Sequence, residues 1–93
     1  MSSKDHRYYI IKPMLLAGKI QTFLDIFQYI PPSVVAIDLG KRGPRFSELM
    51  NALEGFTLKE LLTLADLFEL TRTEIFELVD NQLSTRIDDK SPD

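Results

Sequence analysis

The stretch from Val34 to Leu53, VVAIDLGKRGPRFSELMNAL, decides how this chain of 93 residues folds. It contains two apolar-faced segments separated by Gly40, two cations, a second glycine and Pro44. Glycine tolerates the left-handed backbone that ends a helix, and proline suits the first turn of the next helix. The stretch therefore predicts two short helices joined by a tight turn, the second running from Pro44 to Leu53.

The spacing of small and apolar residues fits two helices that cross closely. A small residue is needed where the helices meet, and Ala36 stands four positions before Gly40. Val35 and Leu39 supply apolar anchors on the first helix. The second helix has an apolar stripe at i, i+3, i+4 and i+7, which predicts its buried face: Phe46, Leu49, Met50 and Leu53.

The opposite face of the second helix is polar. At 100° per residue, Pro44, Glu48 and Asn51 point away from the core, with Ser47 and Arg45 on the flanks. A helix of this kind suits entry into the major groove of DNA, where Asn contacts adenine and Glu accepts from cytosine. Cations near its start suit phosphates, which also favour the positive end of the helix dipole. The residues predicted to contact DNA are Lys41, Arg42, Pro44, Arg45, Ser47, Glu48 and Asn51.

Helical patterns cover most of the remaining chain, and no segment alternates like a strand. Pro13 to Ala17 predicts a short helix, preceded by an apolar extended lead-in from Tyr8 to Ile11. Thr22 is a predicted N-cap for an amphipathic helix that ends at Pro31. Thr57 and Thr71 each begin a capping box. The inward residues predicted for these last two helices are Leu58, Leu61, Leu62, Ala65 and Phe68, and then Ile75, Leu78, Val79 and Leu83.

Three segments together resemble one protein family: VAIDLG from Val35, RFSEL from Arg45 and FTLKELLTLA from Phe56. They are similar to the Cro/cI-like (xenobiotic-response-element) helix-turn-helix repressors of bacteria and phages, over about residues 22–80. The resemblance implies a compact lambda-repressor-like DNA-binding domain that often acts as a homodimer on paired half-sites. Lys41 stands where the family usually has an apolar residue. Either its methylene stem lies on the core with the amine in water, or the turn is distorted.

The prediction for the fold is therefore an all-α bundle of five to six short helices with a helix-turn-helix. Residues 1–11 are a partly flexible lead-in, residues 12–83 the helical domain and residues 84–93 a flexible polar tail. Apolar residues make up 44 % and charged residues 27 % of the chain, as in an ordinary soluble domain. The chain lacks cysteine and any apolar run long enough for a membrane span, which predicts a cytoplasmic protein.

The net charge of −3 hides an asymmetry along the chain. Residues 1–46 carry seven Lys/Arg and three Asp/Glu, a net +4, and residues 47–93 carry four and eleven, a net −7. A charge distribution that changes sign along the chain can offer one basic face to a polyanion. For DNA binding, we expect positive potential around the start of the Pro44 helix, with the acids of residues 60–80 on the far side.

Catalysis finds little support in the sequence. His6 is the only histidine and lies in the predicted lead-in, and no glycine-rich phosphate loop or serine-histidine-acid set is present. We predict no enzyme activity, cofactor, metal or small-molecule substrate.

The predicted function is sequence-specific binding of double-stranded DNA by a homodimeric transcriptional regulator of the repressor type. The alternative is a helix-turn-helix scaffold for protein–protein contact, such as an antitoxin-like module or an assembly adaptor.

Overall fold

The structure, a computed structural model, describes residues 4–90, and the side chains of residues 4–84. Within these residues the chain is helical and contains no strand, which confirms the predicted all-α class. Three 3₁₀ helices lie at His6–Ile10, Phe23–Gln28 and Leu53–Gly55. The five α-helices are α1 (Ile11–Leu16), α2 (Pro32–Leu39), α3 (Gly43–Asn51), α4 (Leu58–Phe68) and α5 (Arg72–Lys90).

An aromatic cluster occupies the core where α2, α3 and α4 meet the first two 3₁₀ helices. Neighbouring rings in this cluster have centroids 5.5–6.5 Å apart in tilted or edge-on arrangements, the geometry that aromatic pairs prefer. Five of the six phenylalanines and one tyrosine take part: Tyr8, Phe23, Phe27, Phe46, Phe56 and Phe68. The cluster joins segments that are far apart in sequence, so it holds the bundle together.

The lead-in is helical, not extended as the sequence analysis predicted. The carboxylate of Asp5 accepts the backbone N–H of Arg7 at 2.9 Å and starts a 3₁₀ helix that continues directly into α1. Tyr8 and Ile11 are fully buried, so the lead-in contributes to the core. Asp5 is therefore a capping residue that was not predicted from the sequence.

The segment after Thr22 is a 3₁₀ helix rather than the predicted α-helix. Its start is as predicted, because the Thr22 N–H donates to the Asp25 carboxylate at 3.0 Å in a capping box. Its backbone hydrogen bonds join residues three apart, as in the bond from the N–H of Tyr29 to the carbonyl of Ile26 at 3.0 Å. Phe23, Ile26 and Ile30 are buried, and Phe27 is half-buried, so the segment has one apolar face towards the core.

One predicted helix end and one predicted buried residue are wrong. Helix α3 ends at Asn51, because Ala52 leaves the helical region with φ −143° and ψ 75°. Leu53 is buried all the same, but it belongs to the following 3₁₀ helix. Leu58 is 63 % exposed, because it is the first residue of α4 and lies off the buried row that contains Leu64 and Phe68.

The last helix continues beyond the predicted end of the domain. Among its described side chains, Ile75 and Leu78 are buried, and Val79 and Leu83 pack against the core, as predicted. The helical backbone continues to Lys90. Residues 91–93 of the predicted tail, like residues 1–3 of the lead-in, lie outside the described residues, and the predicted flexibility of the tail stays a prediction.

Candidate nucleic-acid interface

A three-residue turn, Gly40 to Arg42, separates α2 from α3. Gly40 has φ +80°, a left-handed conformation that costs a residue with a Cβ roughly 1 kcal/mol or more. The N–H groups of Lys41 and Gly40 donate to the carbonyls of Ala36 (2.8 Å) and Ile37 (3.0 Å). This is a regular Schellman ending, so the turn at Lys41 is not distorted. Ala36 is buried in the helix pair, as its small size predicts.

The start of α3 has no side-chain cap. Arg42 is its N-cap residue with extended backbone, and its carbonyl accepts the first intrahelical bond, from the N–H of Phe46 at 2.9 Å. Pro44 carries no N–H, so Gly43 and Arg45 supply the donors of the first turn. By contrast, the carboxylates of Glu60 and Glu74 complete capping boxes at the starts of α4 and α5. The start of α3 therefore keeps backbone donors and the positive dipole end for an external acceptor.

The two faces of α3 are divided as predicted. Phe46 and Leu49 are buried, and Met50 is half-buried. The residues of this helix that were predicted to contact DNA are all exposed: Pro44, Arg45, Ser47, Glu48 and Asn51. A polar surface therefore faces outward along the full length of α3.

The three cations at the turn have different surroundings. The amine of Lys41 is half-buried and forms an ion pair with Glu60 in the first turn of α4. Arg45 pairs with Glu48 at 3.2 Å, and both side chains are more than half exposed. Among the side chains of residues 4–84, no carboxylate lies within 4.0 Å of Arg42. Arg42 is therefore the cation most available to an external anion.

For DNA binding, we expected the acids of residues 60–80 to lie on the far side from the start of α3, but one of them does not. Glu60 is beside the turn, where it neutralises Lys41. The half-buried position of Lys41 agrees with a stem packed on the core, but the amine meets a carboxylate instead of water. Because Glu60 neutralises Lys41, the positive charge expected at the start of α3 comes from Arg42 and Arg45 alone.

Two lysine–glutamate pairs attach the capping boxes to other elements, a role that the sequence analysis missed. Glu60 accepts the N–H of Thr57 at 2.9 Å and also pairs with Lys41 at the turn. Glu74 accepts the N–H of Thr71 at 2.9 Å and the amine of Lys12 at 2.7 Å. The bond to the lysine, then the backbone N–H, lowers the pKa of each glutamate below its ordinary value of 4.5. The capping boxes were visible in the sequence, but their lysine partners were not.

These lowered pKa values predict acid sensitivity. Protonation of Glu60 and Glu74 is easier in the unfolded chain, so the free energy of unfolding should decrease as the pH falls below about 4.5. We expect a weaker pH dependence in a Glu60→Gln/Glu74→Gln variant, because glutamine keeps a capping-box acceptor without the charge. Urea denaturation between pH 3 and 7 measures this, with the exposed Glu77→Gln as control. Equal slopes for the wild type and the double variant would contradict the assignment.

A buried tyrosine fixes α2 from the other side. The ring of Tyr8 packs against Phe68 at 5.8 Å, and its hydroxyl donates to the Asp38 carboxylate at 2.6 Å. Burial and this carboxylate raise the pKa of Tyr8, so the hydroxyl keeps its proton. The position of α2 is therefore set by Asp38 on one flank, by the Lys41–Glu60 pair at its end and by α3.

No group of three His, Cys, Asp or Glu side chains among the described residues is placed to hold a metal ion. His6 is exposed in the first 3₁₀ helix. A small depression between the starts of α2 and α3 is lined by Pro32, Ser33, Gly43 and Ser47. It opens beside the uncapped end of α3.

Comparison with known proteins gives no match: no protein family, no curated protein and no solved structure is similar to the chain. Across the described part of the chain, no helix combines the length and the apolar character needed to cross a membrane. The resemblance to the Cro/cI-like family therefore depends on the motif residues alone.

Proposed function

We propose that the chain binds double-stranded DNA sequence-specifically as a homodimeric transcriptional regulator, with α3 in the major groove. The observation that carries this proposal is the exposed polar face of α3, which begins at an uncapped helix start beside Arg42 and Arg45. A short, rigidly seated helix with this face fits a groove about 12 Å wide. We also propose that α2, the turn and α3 form a helix-turn-helix of the lambda-repressor type.

Phosphate contacts come from the start of α3. Arg42 supplies a guanidinium with no carboxylate partner among the described side chains, and the backbone N–H groups of Gly43 and Arg45 point along the helix axis. Arg45 pairs with Glu48 only at the surface, where such pairs stabilise by about 0–1 kcal/mol. A phosphate can therefore displace Glu48 from Arg45. Lys41 stays with Glu60 and contributes to the shape of the turn.

Base contacts come from the middle and end of α3. Asn51 is one turn beyond Ser47, and both are exposed on the outer half of the helix. An asparagine amide pairs with adenine, and Glu48, once separated from Arg45, accepts from the cytosine amino group. Pro44 lies on the same face at the second helical position. In a dimer the two α3 helices would meet half-sites about 34 Å apart.

A fluorescence-anisotropy titration of a random-sequence duplex pool tests DNA binding. We expect binding at low salt that weakens steeply as salt rises, with a log–log slope of about −0.9 per phosphate neutralised. The control is a random single-chain peptide of equal net charge. Absence of duplex binding at the lowest salt would contradict the proposal.

One observation favours the alternative of a protein–protein module. Ile37 lies on the outward side of α2 and is 76 % exposed, although α2 is the partner helix of α3. A large apolar side chain at that place suits a protein surface better than a phosphate. The variant Ile37→Ser distinguishes the two functions. If the ligand is DNA, the affinity for DNA should stay within about threefold of the wild type. If the ligand is a protein, the variant should no longer bind it.

A further inference from the structure

Phe76 is the one phenylalanine outside the aromatic cluster. It lies on α5, and 37 % of its side chain is exposed. The five other phenylalanines contact one another in the core. The ring of Phe76 therefore lies at the surface of α5, outside the ring contacts of the core.

Phe76 is part of a wider apolar surface. Val79 and Leu83 follow it on the same flank of α5, at i+3 and i+7, and both are only partly buried. Leu62 of α4 and Arg72 of α5 line one depression, so this flank of α5 adjoins the flank of α4 that carries Leu62. We call this surface the α4–α5 face. Its residues are Leu62, Arg72, Phe76, Val79, Asp80 and Leu83, and the carboxylate residue Asp66 lines the same depression as Leu62 and Arg72.

The charges on this face are arranged symmetrically about Phe76. Arg72 is four residues before the ring and Asp80 is four residues after it, on the same side of the helix. Four residues correspond to about 6 Å along the axis. Neither side chain has an ion-pair partner within the described residues. If two α5 helices pack antiparallel about a two-fold axis at Phe76, each Arg72 faces the Asp80 of the other copy.

We propose that the α4–α5 face binds a second copy of this chain, with Phe76 at the two-fold axis and two Arg72–Asp80 pairs around it. The pattern is self-complementary, which is what a two-fold interface requires of one surface. The proposal rests on the homodimer of the proposed function and identifies its interface. It does not require DNA, so it can fail or succeed independently of DNA binding.

The first test removes the central ring. Sedimentation velocity on the full chain without DNA should show a dimer for the wild type, and Phe76→Ser should weaken dimerisation at least about tenfold. Leu16→Ser is the matched control, because Leu16 is a 73 % exposed leucine of α1 and is not one of the residues of the α4–α5 face. Circular dichroism verifies that both variants stay helical. A wild-type monomer at every concentration, or a dimer unaffected by Phe76→Ser, would overturn the proposal.

The second test uses charge reversal and identifies the geometry. Arg72→Glu alone places two like-charged pairs at the interface, and so does Asp80→Arg alone, so each variant should be monomeric. An equimolar mixture of the two variants should form a heterodimer. One site then joins the introduced glutamate to the introduced arginine, and the other site keeps the native Arg72–Asp80 pair. A mixture that stays monomeric like its components would overturn the antiparallel pairing. Duplex titration of the same variants reports DNA binding separately.

Discussion

Replacement of Phe46 by alanine should lower the free energy of unfolding by about 3–5 kcal/mol. Phe46 is 1 % exposed, and its ring contacts Phe27 and Phe56, each at 6.0 Å. Alanine removes both ring contacts and leaves a cavity at the point where α3 joins the core. Domains of this size have about 5–15 kcal/mol of stability in total, so the variant should lose a large part of it.

Urea and thermal denaturation measure this effect. We expect a decrease of roughly 12 °C or more in Tm, from the usual 4–8 °C per kcal/mol in a domain of this size. Phe76→Ala, in protein diluted below any dimerisation, is the matched control and should change stability by less than about 1 kcal/mol. A Phe46→Ala variant as stable as this control would show that α3 is not anchored through the aromatic cluster.

Removal of both arginines at the start of α3 should have the largest effect on DNA affinity. An Arg42→Ala/Arg45→Ala variant loses two phosphate contacts, so the log–log salt slope should become less steep by about 1.8. Affinity at low salt should decrease by roughly 10–100-fold, and by the same factor for every duplex, because phosphates carry no sequence information. Both residues are exposed, so stability should change little.

The control for this double variant is Lys19→Ala. Lys19 is an exposed cation in the connection after α1 and belongs neither to the turn nor to α3. It should leave the salt slope unchanged. If the double variant binds every duplex as the wild type does, then the proposed phosphate contacts at the start of α3 are wrong.

The helix pair could be predicted because its determinants are local. Gly40 permits the left-handed ending, and Pro44 favours the restart, so α2, the turn and α3 follow from neighbouring residues. The capping boxes at Thr57 and Thr71 likewise act over three residues and were predicted correctly. The exposed face of α3 follows from the buried positions of Phe46 and Leu49 by helical geometry.

Contacts between distant segments could not be predicted from one sequence. The Tyr8–Asp38 hydrogen bond spans 30 residues, and the Lys12–Glu74 pair spans 62. Lys41 looked like a phosphate-binding cation because its neighbours in sequence are cations, whereas its neighbour in space is Glu60. Charge counted along the chain therefore overestimated the positive field at α3.

Short segments were the other source of error. The 3₁₀ helix at His6–Ile10 begins at Asp5, whose carboxylate accepts the N–H of Arg7, and the residue types of so short a segment also allow extended chain. Leu58 was assigned inward by its residue type, but the first residue of a helix often extends past the core.

The central claim is that the exposed face of α3 reads base sequence, and selection of duplexes from a random pool tests it most directly. The wild-type chain should enrich one motif, repeated in two half-sites about one helical turn apart. Asn51→Ala should enrich the same motif with one base pair relaxed in each half-site, a loss of discrimination of about 1–3 kcal/mol. No enrichment by the wild type at low salt, or an unchanged motif with Asn51→Ala, would contradict the claim.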